Sequence, residues 1–147
     1  MENYPTVNLS LTVNNAAVAL EFYTQAFGAK EDYHMDGPDG SIVHCEFTIG
    51  NTRIMMSGGD PQWHAVAMPE GAMSSCLFNI VCEDCDSAYD QAVAAGAKTL
   101  NPPTDYFWGV RSAMVLDPFG YRWSLGQQTE QLTSEEIAQR AKELFGG

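Results

Sequence analysis

The chain has 147 residues, 45% of them hydrophobic and 11% aromatic, which suffices for one domain with a sizeable core and argues against a disordered polymer. A formal net charge of −12 repels phosphate backbones and anionic lipid, so the composition argues against a nucleic-acid or membrane-surface role. The sequence shows no secretory leader, and no apolar run approaches the roughly 20 residues that span a bilayer, so a cytoplasmic protein is expected.

In chain order, residues 7–13 alternate apolar and polar and predict a half-buried strand. Asn14-Asn15 offers an N-cap, and Ala19, Leu20, Phe22, Tyr23, Ala26 and Phe27 recur at helical spacing over 16–27, with Gly28 as the cap. A strand is expected near 30–34 and a turn at Gly37-Pro38-Asp39-Gly40. Strands over 41–49 and 52–57 flank a tight Gly50-Asn51 turn. Residues 58–74, rich in Gly, Pro and Met, read as a connecting loop. The order then recurs: strand 75–81, helix 83–95 capped by Gly96, a strand from 98 interrupted by Pro102-Pro103, strand 110–116, the turn Asp117-Pro118-Phe119-Gly120, and strand 121–125. Thr133 and Glu136 form a capping-box signature for a tail helix over 133–145. Its stripe of Ile137, Ala141, Leu144 and Phe145 is expected to pack on the domain or on a second subunit.

The recurrence extends to the letters. Leu-Ser-Leu-Thr-Val and Leu-Phe-Asn-Ile-Val open the two halves, and both helices run into Gly-Ala-Lys. Leu9 and Leu77 stand as far apart as Lys30 and Lys98, so the halves align without a gap, the mark of an internal repeat. Two such units can pair their open faces into one cleft. Cys82 and Cys85 form a lone CxxC with acidic residues between them, and the other cysteines are Cys45 and Cys76. Without a second pair the spacing reads as two small apolar side chains where a strand turns into a helix.

The stretches Ala-Leu-Glu-Phe-Tyr-Thr-Gln-Ala-Phe-Gly-Ala-Lys, Val-His-Cys-Glu-Phe-Thr-Ile-Gly-Asn-Thr-Arg-Ile-Met-Met-Ser, Tyr106 to Trp123 and Leu132 to Phe145, with the doubled architecture, resemble the vicinal oxygen chelate superfamily of glyoxalases, bleomycin-resistance proteins and extradiol dioxygenases. Within it they resemble the PhnB-like branch. The resemblance implies an α+β fold: one domain over 1–147 with two βαβββ modules (5–57 and 75–127), a linker at 58–74, a curved mixed sheet around a central cleft, and the C-terminal helix. It also implies a homodimer in which modules pair between chains. PhnB-like proteins often carry a methyltransferase label. The strand-to-helix joints Asn14-Asn15-Ala16 and Cys82-Glu83-Asp84 lack the glycines such a cofactor loop needs, which speaks against that chemistry.

The superfamily's enzymes hold one divalent ion with His, Gln and Glu side chains from four strands. The matching places here are Asn8, Cys76 (Ser75 if the register slips by one), Ser124, and Ile54 or Met55, a set without histidine or carboxylate. No metal or other cofactor is therefore expected. His44 and Glu46, two apart on one strand, share a face opposite Val43, Cys45, Phe47 and Ile49, and are candidates for acid–base work or for two ligands of a shifted divalent site. Asn8, Met55, Phe78, Trp108, Arg111 and Trp123 are the candidate ligand-binding residues, Arg111 as an anion clamp. Two functions follow: a metal-free protein binding a small organic molecule, or a metal-dependent lyase, isomerase or dioxygenase using His44 and Glu46. A catalytically silent chain that acts by dimerising is a third.

Overall fold

The computed structural model describes residues 4–146. The first module holds β1 (Leu9–Val13), α1 (Ala16–Phe27), β2 (Lys30–Asp36), β3 (Ile42–Ile49) and β4 (Thr52–Gly58). The second holds β5 (Leu77–Val81), α2 (Cys85–Ala95), β6 (Lys98–Tyr106), β7 (Val110–Leu116) and β8 (Arg122–Gln128), followed by α3 (Ser134–Phe145). This is the expected α+β arrangement of two βαβββ units. Each forms a four-stranded mixed sheet, in the orders β1-β4-β3-β2 and β5-β8-β7-β6. Strand-to-strand pairing stops at the module boundary, so the curved sheet comes as two halves.

Local chemistry sets the element ends. Asn15 Oδ1 accepts the Val18 amide at 3.1 Å and starts α1. Asp84 does the same for α2 through the Ser87 amide at 2.9 Å, which moves the helix start to Cys85, later than the apolar pattern suggested. The Thr133–Glu136 capping box forms in both directions at the head of α3. Pro102-Pro103 does not end β6. That strand lies at the edge of its sheet, and its pairing steps from Asn101↔Met114 to Thr104↔Ser112, passing over the residues that cannot donate.

The helices cover one face of each sheet. Leu11, Val13, Cys45, Phe47, Ile54 and Met56 of the first module, and Ala113, Val115, Trp123 and Leu125 of the second, are buried in a core that α1 and α2 share. Tyr23 of α1 stacks on Phe47 with ring centroids 5.4 Å apart and reaches across to Trp123 at 5.5 Å. At that junction lies Asp117, only 3% exposed. Its carboxylate accepts from Tyr23 Oη (2.6 Å), Trp123 Nε1 (2.9 Å) and the amides of Phe119 and Tyr121 (2.9 Å each). Tyr121 adds a second tie. Its hydroxyl donates to the Thr12 carbonyl and accepts from the Thr12 amide, both at 3.0 Å.

The internal repeat is real in element order but not gapless. Val13 is 1% exposed, whereas Val81, its partner in the gapless alignment, is 88% exposed. The core face of β5 is carried instead by Phe78 and Ile80, so Leu9 corresponds to Phe78. Side chains alternate across a strand, so a slip of one residue exchanges the two faces. The slip is absorbed by α2, which has 11 residues against the 12 of α1, and is restored in the longer turn between β7 and β8.

Candidate functional site

Opposite the shared core, each sheet presents an open face. On the first sheet the strand alternation brings His44, Glu46, Arg53 and Met55 to one side, with Tyr33 and Met35 from the edge strand opposite Glu46 and His44. Glu46 is the centre of a polar cluster, its side chain 13% exposed. Tyr4 Oη reaches its two oxygens at 2.8 and 3.0 Å, His44 Nε2 lies 3.6 Å away, and Arg53 Nε lies 3.7 Å away. The guanidinium of Arg53 sits over the Tyr4 ring, 4.9 Å from its centroid. The bond to Glu46 raises the Tyr4 pKa above its ordinary value.

On the second sheet the open face forms a hollow of about 560 Å³. Leu77 and Asn79 of β5, Ser112 and Met114 of β7, and Ser124 and Gly126 of β8 line its floor, with Val81, Asn101, Tyr106, Trp108, Val110 and Gln128 toward the rim. All of these residues belong to the second module. Tyr106 and Trp108 stack with centroids 4.4 Å apart and 16° between planes, leaving Trp108 39% exposed. Ser112 Oγ and Ser124 Oγ lie 2.9 Å apart.

The loop that carries Trp108 is braced. Gly109 takes φ +81°, and a Cβ there would come within 2.9 Å of the Glu130 carbonyl oxygen. The Gly109 carbonyl accepts the amides of Thr129 and Glu130 at 2.9 and 3.1 Å. Arg140 of α3 pairs with Glu130 at 2.8 Å and donates to the Phe107 carbonyl at 3.2 Å. Phe145 meets Phe107 edge-on. The tail helix thus stands behind the aromatic loop, while Leu144 and Phe145 remain exposed.

The sequence-derived candidates separate. Trp108 and Ser124 meet in the hollow, and His44, Glu46 and Met55 share the first open face. Asn8 lies just before β1 with its amide donating to the Pro5 carbonyl at 2.8 Å. Phe78 and Trp123 belong to the core instead, their rings 5.0 Å apart, because their strand parity points them toward the helices. Arg111 is no free anion clamp. It grips Asp86 of α2 at 2.7 and 2.9 Å and Asp105 at 3.2 Å, and the Asp86 bond holds its pKa above the usual range. The one-residue slip corrects the chelate place on β5 from Cys76 to Leu77, in the direction opposite to the Ser75 alternative. The corresponding places are then Asn8, Leu77, Met55 and Ser124, a donor set that does not fit a divalent ion. Glu46 does not rescue it, because both its oxygens accept from Tyr4 and a guanidinium stands beside it. Among the described residues, no group of three or more His, Cys, Asp and Glu side chains is placed to hold a metal.

Composition-level reasoning missed Asn79, Ser112, Met114, Tyr4 and Arg53. Ser112 and Met114 were within reach of strand parity, since Ala113 and Val115 fill the other face. Cys82 and Cys85 stand where a strand hands over to α2. Burial raises both thiol pKa values, and Cys85 is buried with its Sγ donating to the Leu125 carbonyl at 3.2 Å. No helix among the described residues is long and apolar enough to cross a membrane.

Residues 6–125 match the profile of the Glyoxalase/Bleomycin resistance protein/Dioxygenase superfamily. An uncharacterised protein of Mycobacterium bovis is 32% identical over 136 residues, covering 90% of each chain. Among solved structures, TioX from Micromonospora sp. ML1 superposes with a TM-score of 0.68 at 22% identity, covering 85% of this chain and 99% of that one. A PhnB protein from Bacillus cereus gives 0.65 at 17% identity, covering 84% and 99%.

Proposed function

The chain belongs to the glyoxalase/bleomycin resistance/dioxygenase superfamily, and from that premise we propose that it binds a small organic molecule in the second-sheet hollow without the superfamily's metal site. The observation that carries this is the hollow itself. It has the size of a small-molecule pocket, a stacked Tyr106–Trp108 wall, and hydrogen-bonding groups spaced along an apolar floor. Polarisable Met114 and flat Trp108 suit a ring compound. The first sheet's open face completes the cleft from a second copy of the chain. Both open faces lie opposite the shared core, and edge residues such as Val81 stand bare in the single chain. A C2 homodimer that brings module one of each copy against module two of the other would cover both.

The reading extends to the PhnB-like branch, supported by the sequence stretches that resemble it and by the fold shared with the Bacillus cereus protein. Methyl transfer is not part of it, since the side chains of Asn15 and Asp84 already cap the two helix starts where a cofactor loop would lie. The test is ligand-observed NMR on the whole protein with a panel of ring and open-chain organic compounds, in buffer with and without EDTA. Ring compounds should give saturation-transfer signals that ignore EDTA and vanish in Trp108→Ala and Met114→Trp. Signals that both variants keep, or that EDTA abolishes, would refute it.

A further inference from the structure

The hollow is uncharged. Its polar side chains are amides and hydroxyls, and among the described residues Tyr106 is the only titratable one in its lining. The arginines nearby in sequence are committed elsewhere. Arg111 holds Asp86 and Asp105, and Arg122 donates to the carbonyls of Ser74 and Ser75 at 2.9 and 2.6 Å. An anion entering here finds no cation to replace its water, and the chain's net charge of −12 repels it from afar. A cation finds no carboxylate. On the first sheet's open face, Glu46 stands with Arg53 and His44 and accepts from Tyr4.

The floor carries one polar feature that a ligand can read. Ser112 and Ser124 stand on neighbouring strands with their hydroxyls 2.9 Å apart, and either one can donate to the other. Ser112 also reaches the Ala113 carbonyl, at 3.5 Å. Turned one way, the pair offers a free proton; turned the other way, it offers lone pairs. A ligand hydroxyl or carbonyl is satisfied by one of the two arrangements without burying a charge. The Tyr106–Trp108 stack supplies a flat wall alongside.

Building on the binding role proposed above, we infer that the ligand is an uncharged, planar ring compound bearing a hydroxyl or carbonyl group that the Ser112–Ser124 pair recognises. Charge selectivity is set by the lining and the hydroxyl preference by the serines, so the two can be measured apart. The experiment is an NMR titration of the full-length protein at neutral pH with four probes sharing one ring: β-naphthol, β-methylnaphthalene, β-naphthoate and β-naphthylmethylammonium. β-Naphthol should bind at least about tenfold tighter than either ion. It should also outbind methylnaphthalene, and Ser112→Ala/Ser124→Ala should erase that second margin. Naphthoate or the ammonium binding as well as naphthol would overturn the ligand class and leave the binding role standing. A hydroxyl margin that survives the double substitution would overturn the part assigned to the serines. Failure of all four probes, with no ring compound from the wider panel binding either, would overturn both readings. The charge comparison uses the unmodified protein and so stands even if the double variant folds poorly.

Discussion

Asp117→Asn tests the junction that orients the two modules. The carboxylate is buried and takes four donors, two backbone amides on Oδ1 and the Tyr23 and Trp123 groups on Oδ2. The amide of asparagine keeps one acceptor. If its oxygen stays on the backbone amides, its NH2 faces Tyr23 and Trp123. The tyrosine hydroxyl can rotate to accept, but the indole N–H cannot. Flipping the amide is worse, because two backbone N–H groups then lose their partner. One buried unpaired donor costs about 1–3 kcal/mol, and three bonds losing their charge assistance cost about 1 kcal/mol each. Relief of the desolvated charge offsets part of this, since burial raises the Asp117 pKa above the ordinary carboxylate value. The net expectation is a loss of about 3 kcal/mol, or a Tm lower by roughly 10 °C for a chain of this length. Tyr23→Phe removes one donor and leaves three, so it should cost about 1–2 kcal/mol. Circular-dichroism melts and urea titrations of the three proteins give both numbers. Asp117→Asn within about 0.5 kcal/mol of the parent, or a Tyr23→Phe cost exceeding it, would refute the reasoning, because an uncharged acceptor would then hold the junction as well.

Three further outcomes are expected. Burial, with Glu31 and Glu46 adding to it, raises the Cys45 thiol pKa from 9.0 to about 11. The folded state therefore favours the neutral thiol, and its contribution is complete below pH 9.0 and lost as pH rises through about 11. Urea titrations should show up to about 2–3 kcal/mol of alkaline destabilisation that Cys45→Val removes; an unchanged slope in that variant would assign the loss elsewhere. Gly109→Ala forces a Cβ against the Glu130 carbonyl in a left-handed backbone conformation. It should cost about 1–3 kcal/mol and weaken ring-compound binding by displacing Trp108, read by urea titration and NMR. Light scattering should give twice the 16.1 kDa of one chain, and Val81→Asp should yield a folded monomer because Val81 is already solvated within the single chain. A Val81→Asp dimer would sink the open-face pairing.

The sequence was readable wherever one face of an element is buried. Cys45 and Phe47 against His44 and Glu46 were separated by alternation alone, and both helices by spacing and caps. Elsewhere the cue was absent or misleading. Trp123 and Phe78 were assigned to the ligand because aromatics suit both a core and a pocket, and only strand parity decides between them. Arg111 looked free because its partner Asp86 lies on α2, far along the chain. β6 was cut short at Pro102-Pro103 because edge position, which makes proline tolerable, is a property of the sheet and not of the segment.

The residues at equivalent places show that the two halves do not share a chemistry. Pairing β3 with β7 by their buried residues sets His44 against Ser112 and Glu46 against Met114. Pairing β4 with β8 in the same way sets Met55 against Ser124. The strand neighbours agree, since Glu46 lies beside Met55 and Met114 beside Ser124. At three equivalent places, then, one module is ionisable where the other is neutral, or apolar where the other is polar. A cation held between the halves needs donors from both, and the second half offers two hydroxyls and a thioether there. A neutral ring needs an apolar floor and a few hydrogen bonds on one side, which the second half has in Met114 between Ser112 and Ser124. The division assigns grip to the second sheet, so substitutions at Ser112, Met114 and Ser124 should move ligand affinity more than substitutions at His44, Glu46 and Met55.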